Sequence, residues 1–191
     1  MSDVLMLDLD GVLYDWHRAV YDYYREYKGY MESYRCLWGR DYLNFSPEDW
    51  KYITEVDTFY SSQFPTQDCI DFLNKVKYIF DIYYVTGRPE SVKITTEQYL
   101  KRYRFPFREN LIFSADKVNT ARRIKASFCV EDLLKNVEVL SKVAKTIMFA
   151  QPHNEEYWDV YPTAHTLVGV LPFLEHRDRS SILMELGYAT G

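Results

Sequence analysis

The residues best suited to chemistry lie near the amino terminus, where two aspartates stand two positions apart. Asp8 and Asp10 follow the apolar run at residues 4–7, and Gly11 comes next. Side chains two apart on an extended chain point the same way, and a glycine permits a sharp turn after them. Two carboxylates this close repel each other unless a cation joins them, and Mg²⁺ binds carboxylates together with water and phosphate. The pair indicates either a magnesium and phosphate site or a polar turn that caps a strand.

Three later segments also place suitable groups where a strand is predicted to end. Thr86 and Gly87 precede a predicted helix, whose first N–H groups are suited to binding phosphate. Lys117 begins another helix and carries an ammonium that can neutralise a phosphate, while Glu131 and Asp132 follow a third buried run. Taken singly, each is typical of an ordinary turn or a solvated side chain. Together, four strand ends predict one phosphate and metal site, because ligands bind at the carboxyl ends of parallel strands.

The elements that must position these groups are short apolar strands alternating with helices. β-branched and aromatic runs predict strands, and helical periodicity lies between them. This alternation is typical of an α/β fold with a mainly parallel sheet. Strands are predicted at 4–7, 78–85, 111–113, 128–130 and 146–149, with an edge strand at 165–168, and helices at 89–103, 117–125 and 136–145.

Residues 16–77 interrupt that alternation with helical patterns and no strand pattern. A long helical pattern over His17–Tyr30 predicts the first helix. Ser46 followed by Pro47 and Asp49 predicts another helix start. Ten tyrosines fall between Tyr14 and Tyr60, and aromatic residues make up 17% of the chain. Aromatic side chains bury a large area per residue, which suits a small helical unit. We therefore predict a helical cap at 16–77 inserted into a catalytic core formed by 1–15 and 78–191.

Composition and charge exclude several classes of protein. The 191 residues include 23 Lys and Arg against 28 Asp and Glu, a net charge of −5, which argues against a protein that coats nucleic acid. No apolar run reaches the roughly 18–20 residues that span a bilayer, and the amino terminus lacks the pattern of a signal peptide. Three cysteines without a paired motif favour a reduced compartment. We expect a cytoplasmic protein with neither a membrane nor a stable nucleic-acid partner.

The ordered set of strand-end groups resembles the haloacid dehalogenase superfamily of phosphotransferases. Residues 8–13 match its first motif, Asp-x-Asp-Gly-(Val or Thr)-Leu, and Thr86 matches the second. Lys117 matches the third motif, and Glu131 with Asp132 matches the acidic pair of the fourth. The resemblance implies a Rossmann-like three-layer α/β/α core, with the helical insert at the place where this superfamily has its cap.

The resemblance also implies a role for each matched residue. Asp8 would be the nucleophile that forms an aspartyl phosphate, and Asp10 the general acid and base. Thr86, Gly87 and Lys117 would bind the phosphoryl oxygens.

A magnesium ion is the cofactor that the resemblance implies. Its ligands would be Asp8, the backbone carbonyl of Asp10, and Asp132. Glu131 would lie nearby or act through water. The superfamily more often has aspartate at the position of Glu131, which makes this residue a departure from the pattern.

Within the superfamily, the sequence is similar to the 5′(3′)-deoxyribonucleotidases. The aromatic Trp16 follows the first motif, and residues 151–154, Gln-Pro-His-Asn, are similar to a Gln-Pro-(Trp or Tyr)-Asn run near their carboxyl terminus. By analogy Trp16 would stack on the substrate, or in the plainer interpretation pack on the core. Arg88 departs from their second motif and is predicted to line the substrate pocket. No histidine has zinc-motif spacing, so none is predicted to bind metal.

These observations predict a Mg²⁺-dependent phosphomonoesterase, acting as a 5′-nucleotidase on (deoxy)nucleoside monophosphates. The alternatives are a phosphatase for another small metabolite, a phosphatase for nucleic-acid ends, and a non-catalytic nucleotide-binding protein. The negative net charge speaks against nucleic-acid ends, and the complete set of catalytic groups speaks against a non-catalytic protein. A homodimer is left open.

Overall fold

The computed structural model describes residues 2–27, 46–61 and 63–174. Within these ranges, six strands form one sheet in the order β3-β2-β1-β4-β5-β6, and each neighbouring pair is parallel. The predicted α/β fold with a parallel sheet is therefore confirmed. The strands are β1 (Asp3–Leu7), β2 (Phe80–Thr86), β3 (Leu111–Phe113), β4 (Phe128–Glu131), β5 (Lys145–Phe149) and β6 (Thr163–Ala164).

Helices connect the strands as crossovers and also fill the segment between β1 and β2. Short 3₁₀ helices lie at Glu90–Val92, Arg108–Asn110, Pro152–Tyr157 and Val168–Leu174. None of the helices in the described ranges is long and apolar enough to cross a membrane. The α-helices are α1 (Trp16–Tyr27), α2 (Pro47–Glu55), α3 (Asp57–Ser61), α4 (Cys69–Val76), α5 (Lys93–Arg102), α6 (Lys117–Ile124) and α7 (Leu134–Leu140).

The sheet is covered by helices on both faces, as its alternating side chains require. Leu5 and Leu7 of β1 belong to one core cluster, which includes residues of α4 and α5. Met6, between them, belongs to the opposite cluster with residues of α6 and α7. Successive strand side chains point to opposite faces, so both faces of this buried sheet are apolar. The predicted three-layer α/β/α core is confirmed.

The cap segment packs around a small buried cluster that it shares with the segment after β2. Val20, Ile53, Phe59 and Tyr60 of the cap are buried together with Val92, and Trp16 packs against them. The predicted start of α2 is confirmed by a capping box, in which the Ser46 hydroxyl accepts a hydrogen bond from the Asp49 N–H at 3.1 Å. Helix α4 instead packs in the main core. The domain boundary at residue 77 stays a prediction, and the packing favours drawing it before α4.

One predicted strand is misplaced, one predicted helix is too long, and the predicted first helix is only partly described. The helix predicted at 136–145 is α7, which ends at Leu140, and Lys145 begins β5. The edge strand lies at Thr163–Ala164 and not at 165–168. Strand β6 pairs with β5 over only two residues, after which Leu167 turns into the core and a 3₁₀ helix begins. The apolar residue that suggested a strand at 165–168 is this buried turn residue. The predicted first helix extended to residue 30, and residues 28–30 lie outside the described ranges.

Candidate active site

The predicted site residues lie at the carboxyl edge of neighbouring strands. Asp8 follows β1, Thr86 ends β2, and Glu131 ends β4. Lys117 begins α6, directly after β3. Because β1 lies between β2 and β4 in the sheet, the chain on its two sides leaves in opposite directions and opens a crevice there. This topology brings residues from four parts of the sequence to one place.

A buried ammonium joins two carboxylates at the floor of the site. Nζ of Lys117 is 2.8 Å from Oδ1 of Asp8 and 2.7 Å from Oε2 of Glu131. Burial opposes the charge of Lys117, but the charges of Asp8 and Glu131 outweigh it and raise the pKa of this ammonium. Burial also opposes the charge of Glu131 and would raise the pKa of its carboxyl. The charge and hydrogen bond of Lys117, together with the Leu133 N–H, outweigh burial and lower that pKa. Lys117 and Glu131 therefore form an ionised pair.

The remaining charge of the site favours a cation. Burial, together with the charge of Glu131, raises the pKa values of both Asp8 and Asp132 well above their ordinary range. One oxygen each of Asp8, Glu131 and Asp132 lies within 4.8 Å of the others. Oδ1 of Asp132 is buried and has no hydrogen-bond partner among the described residues. A divalent cation would satisfy that oxygen and stabilise the ionised carboxylates, so this donor set fits a hard metal ion.

Gly11 is required where the first motif turns past Asp132. Its φ is +81°, and a Cβ at this position would lie 2.1 Å from Oδ2 of Asp132. Any side chain would therefore meet a carboxylate that belongs to the acidic cluster. The glycine allows the first and fourth motifs to approach closely.

Asp10 is held by an arginine that sequence reasoning assigned to the substrate pocket. Nε of Arg88 donates to Oδ2 of Asp10 at 2.7 Å, and its NH2 group donates to Oδ1 at 2.5 Å. The same guanidinium donates to Gln63 at 2.9 Å and Thr96 at 3.1 Å. The Arg88 side chain is 1% exposed, whereas that of Asp10 is 24% exposed. The Asp10 carboxylate is therefore accessible to solvent, whereas the Arg88 side chain is almost completely buried.

Two tyrosines enclose the Arg88 guanidinium from either side. Its Cζ is 4.4 Å from the ring centroid of Tyr14 and 4.3 Å from that of Tyr60. These distances are typical of cation–π contacts. Burial works against the charge of Arg88, but the carboxylate of Asp10 outweighs it and raises the pKa of the guanidinium further. Tyr60 and Gln63 come from the cap side of the cleft, so Arg88 links the cap to the first motif.

The two other residues predicted at the phosphate differ in exposure. Thr86 is fully buried, and its hydroxyl accepts a hydrogen bond from the Arg88 N–H at 3.2 Å. Gly87 is exposed and lines the cavity.

A cavity of about 630 Å³ lies above these groups, between the sheet edge and the cap. This volume is in the range of small-molecule sites. Trp16 lines it from the first turn of α1 and packs edge-on against Phe59 at 6.3 Å between ring centroids. The cavity is lined by Asp8, Asp10, Trp16, His17, Thr54, Tyr60, Gly87, Arg88, Pro89, Ser114, Ala115, Lys117, Asp132, Leu133, Lys135, Asn136 and His153.

Comparison with known proteins gives the family of this chain. Residues 2–166 match the model of the family described as 5′ nucleotidase, deoxy (pyrimidine), cytosolic type C protein. The chain belongs to this nucleotidase family. It is a phosphatase of the haloacid dehalogenase superfamily, as the resemblance in its motifs implied. No curated protein matches the sequence.

Solved structures share the fold of this nucleotidase at low sequence identity. A haloacid dehalogenase-like protein of unknown function from Agrobacterium tumefaciens has a TM-score of 0.65 at 16% identity, covering 91% of this chain and 97% of that one. A haloacid dehalogenase-like hydrolase from Streptococcus pneumoniae has a TM-score of 0.61 at 15% identity, covering 91% of this chain and 99% of that one. A predicted phosphoglycolate phosphatase from Haemophilus somnus has a TM-score of 0.58 at 11% identity, covering 91% and 98%.

The Gln-Pro-His-Asn run of this nucleotidase connects the first motif to the fourth. Nε2 of Gln151 donates to the carbonyl of Gly11 at 2.6 Å. Nδ2 of the fully buried Asn154 donates to the carbonyls of Asp132 at 2.8 Å and Phe149 at 2.9 Å. The run therefore fixes the backbone on both sides of the acidic cluster. The sequence similarity drew attention to this run, but it did not show which residues the run contacts.

Two histidines in the site were missed by sequence reasoning. His17 and His153 both line the cavity, and their ring centroids are 5.1 Å apart. Burial, and next the charge of His153, lowers the pKa of His17 well below its ordinary value. Burial also lowers the pKa of His153. The two histidines are far apart in sequence, so the pattern did not predict that they meet. His17 lies just after the first motif, and His153 lies within the Gln-Pro-His-Asn run.

Proposed function

We propose that this nucleotidase hydrolyses (deoxy)nucleoside monophosphates through an aspartyl phosphate on Asp8. The observation that carries the proposal is the Asp8 carboxylate at the cavity floor, 2.8 Å from the ammonium of Lys117. That arrangement offers a nucleophile and a fixed positive charge for the phosphoryl group it attacks. Membership of a nucleotidase family supports the choice of nucleotides as substrates.

In the first half of the reaction, a carboxylate oxygen of Asp8 attacks phosphorus and the bond to the nucleoside oxygen breaks. Lys117 stabilises charge on the phosphoryl oxygens, and the exposed backbone at Gly87 is available to donate to them. Asp10 gives a proton to the departing oxygen, so that a neutral alcohol leaves. The products of this half are the nucleoside and the phosphorylated aspartate.

In the second half, a water molecule attacks phosphorus and the bond to Asp8 breaks. Asp10, now ionised, takes a proton from that water. Inorganic phosphate leaves, and Asp10 is again protonated for the next turnover. The same group thus serves as the acid first and as the base second.

Mg²⁺ is the metal that we propose for the acidic cluster. Asp8, the backbone carbonyl of Asp10, and Asp132 would hold it, with Glu131 engaged by Lys117 beside them. When bound, the ion neutralises phosphoryl charge and orients the substrate. The unpartnered Oδ1 of Asp132 supports this assignment.

Arg88 is a positioning residue in this proposal and not a substrate contact. Four hydrogen bonds to Asp10, Gln63 and Thr96 occupy its guanidinium. The bidentate pair fixes the plane of the Asp10 carboxylate. Because Gln63 and Tyr60 lie on the cap side and contact Arg88, the position of the cap determines how the Asp10 carboxyl is oriented.

The test is a panel of phosphate monoesters with Mg²⁺, using the full chain and Asp8→Asn. We expect nucleoside monophosphates to have the highest kcat/KM, and Asp8→Asn to abolish hydrolysis of every substrate. Sugar phosphates hydrolysed faster than every nucleotide would favour the general metabolite phosphatase. Faster hydrolysis of a 3′-phosphorylated oligonucleotide would favour a phosphatase for nucleic-acid ends. Activity that survives in Asp8→Asn would remove the nucleophile from the proposal.

A further inference from the structure

The two histidines beside the acidic cluster have no role in the proposed reaction. Nε2 of His17 is 3.5 Å from Oδ2 of Asp132, and Nε2 of His153 is 3.4 Å from the same oxygen. The three ligand atoms lie within 4.8 Å of one another. They come from α1, the loop after β4 and the 3₁₀ helix after β5. Three separate elements thus bring two imidazoles and a carboxylate to one point.

The distances between these atoms match a bound metal ion better than ordinary hydrogen bonds. An N–H···O hydrogen bond measures about 2.7–3.2 Å. Around a tetrahedral Zn²⁺ with bonds of about 2.0–2.2 Å, neighbouring ligand atoms are about 3.3–3.6 Å apart by geometry. The two separations from Asp132, 3.5 and 3.4 Å, fall in the second range. Both imidazoles therefore lie at ligand-to-ligand distances from Asp132, and their own two ligand atoms lie within 4.8 Å of each other.

We propose that His17, Asp132 and His153 form a second cation site, for a divalent transition-metal ion such as Zn²⁺ or Co²⁺. Imidazole nitrogen favours these ions, whereas Mg²⁺ prefers oxygen ligands. The histidines approach Oδ2 of Asp132. Oδ1 of Asp132, which is buried and without a hydrogen-bond partner among the described residues, therefore stays available to the Mg²⁺ of the Asp8 cluster. Asp132 then bridges two ions, which in paired sites lie about 3.5–4 Å apart.

The competing explanation is that the histidines only orient Asp132. Nε2 of His153 also lies 3.1 Å from the backbone oxygen of Asp132, a normal hydrogen bond when that nitrogen carries the proton. Binding of an ion requires the proton on Nδ1 instead, because one nitrogen cannot both donate a proton and ligate a metal. The two explanations therefore exclude each other at this atom.

The experiment measures Co²⁺ binding by the full chain in excess Mg²⁺, which fills the oxygen-rich site. We expect one Co²⁺ per chain by elemental analysis, with the intense visible absorption of four-coordinate cobalt. His17→Asn and His153→Asn should each weaken Co²⁺ binding by more than about 100-fold, because even outer partners of metal ligands contribute about 10–100-fold. His165→Asn is the matched control, since His165 is exposed and packs on Trp158. It should bind Co²⁺ like the unmodified chain.

A second measurement needs no variant and covers the case in which the substitutions prevent folding. X-ray absorption at the zinc edge of the Zn²⁺-loaded chain, again in excess Mg²⁺, should show two imidazole ligands. Oxygen ligands alone, or no Co²⁺ or Zn²⁺ retained, would overturn the second site. Equal Co²⁺ affinity in both histidine variants and in His165→Asn would also overturn it. None of these results bears on Asp8→Asn, so this site and the proposed hydrolysis can fail separately.

Discussion

Replacing Arg88 by methionine tests whether this residue orients Asp10, the proposed general acid. The substitution keeps an unbranched chain of similar length but removes all four hydrogen bonds of the guanidinium. Removing one partner of a buried ion pair costs about 3–5 kcal/mol. The lower end applies because Asp10 is 24% exposed and can be solvated. We therefore expect the free energy of unfolding to fall by about 3 kcal/mol.

The kinetic effect of Arg88→Met should depend on the leaving group. A misplacement of about 1 Å costs roughly 100-fold, so kcat for a nucleoside monophosphate should fall by about that factor. Release of p-nitrophenolate needs no proton, so the pre-steady-state rate of p-nitrophenolate release should fall much less than that of the nucleoside. Hydrolysis of the aspartyl phosphate, in which Asp10 is the base, should slow equally for both substrates. KM should stay close to that of the unmodified chain for both substrates, because Arg88 does not bind the substrate in this account.

The assay is rapid-quench measurement of leaving-group release together with steady-state hydrolysis of both substrates, with folding checked by urea denaturation. Arg88→Lys keeps the charge but not the planar fork, so it should restore stability more than nucleotide turnover. Arg102→Met, an exposed position on α5, is the matched control and should behave like the unmodified chain. A rise in KM for both substrates with unchanged kcat would refute the reasoning and return Arg88 to the substrate pocket.

Three further predictions concern the architecture around the acidic cluster. Gly11→Ala places a Cβ 2.1 Å from Oδ2 of Asp132 at φ +81°, so it should lose Mg²⁺-dependent turnover and at least about 1–2 kcal/mol of stability. Gly87→Ala, where a Cβ meets nothing within 4 Å, is the control for stability, and equal denaturation midpoints would contradict the first expectation. Asn154→Ala removes the side-chain donor to the Phe149 carbonyl and one of two side-chain contacts to the Asp132 carbonyl. Urea denaturation should therefore show a loss of about 1–3 kcal/mol. The exposed Asn74→Ala should change the free energy of unfolding by less than about 0.5 kcal/mol, and an equal loss in both variants would contradict this. Mg²⁺ at 100 times its Kd should raise the free energy of unfolding by about 2.7 kcal/mol, measured by thermal unfolding. Asp132→Asn should show no such increase with Mg²⁺. The same increase in that variant would exclude Asp132 as a ligand.

The fold and the acidic half of the site could be predicted because they follow local rules. Apolar runs give strands, and parallel strands end at one edge, so Asp8, Thr86 and Asp132 had to converge once the sheet was parallel. The residues meet as predicted, at the carboxyl ends of β1, β2 and β4. The last strand was misplaced because the apolar pair Leu167 and Val168 resembles the end of a strand in sequence, although Leu167 packs in the core from a turn.

The contacts of Arg88 and of the two histidines depend on how the cap packs on the core. The local sequence pattern carries no information about that packing. Arg88 follows a strand end that should bind phosphate, yet Tyr60 and Gln63 of the inserted segment enclose its guanidinium. His17 and His153 are likewise brought together only when α1 packs beside the loop after β5. Spacing rules for metal motifs detect ligands on one helix or loop and miss ligands from distant segments.

Phosphorylation of Asp8 during turnover is tested most directly by trapping the intermediate. The full chain is mixed with a nucleoside monophosphate and Mg²⁺, quenched in acid during turnover, and reduced with borohydride, which converts an acyl phosphate to the alcohol. Peptide mass spectrometry should then find the reduced residue at position 8, in the unmodified chain and not in Asp8→Asn. Rapid turnover with an unmodified Asp8, or with the reduced residue at another carboxylate, would contradict the account.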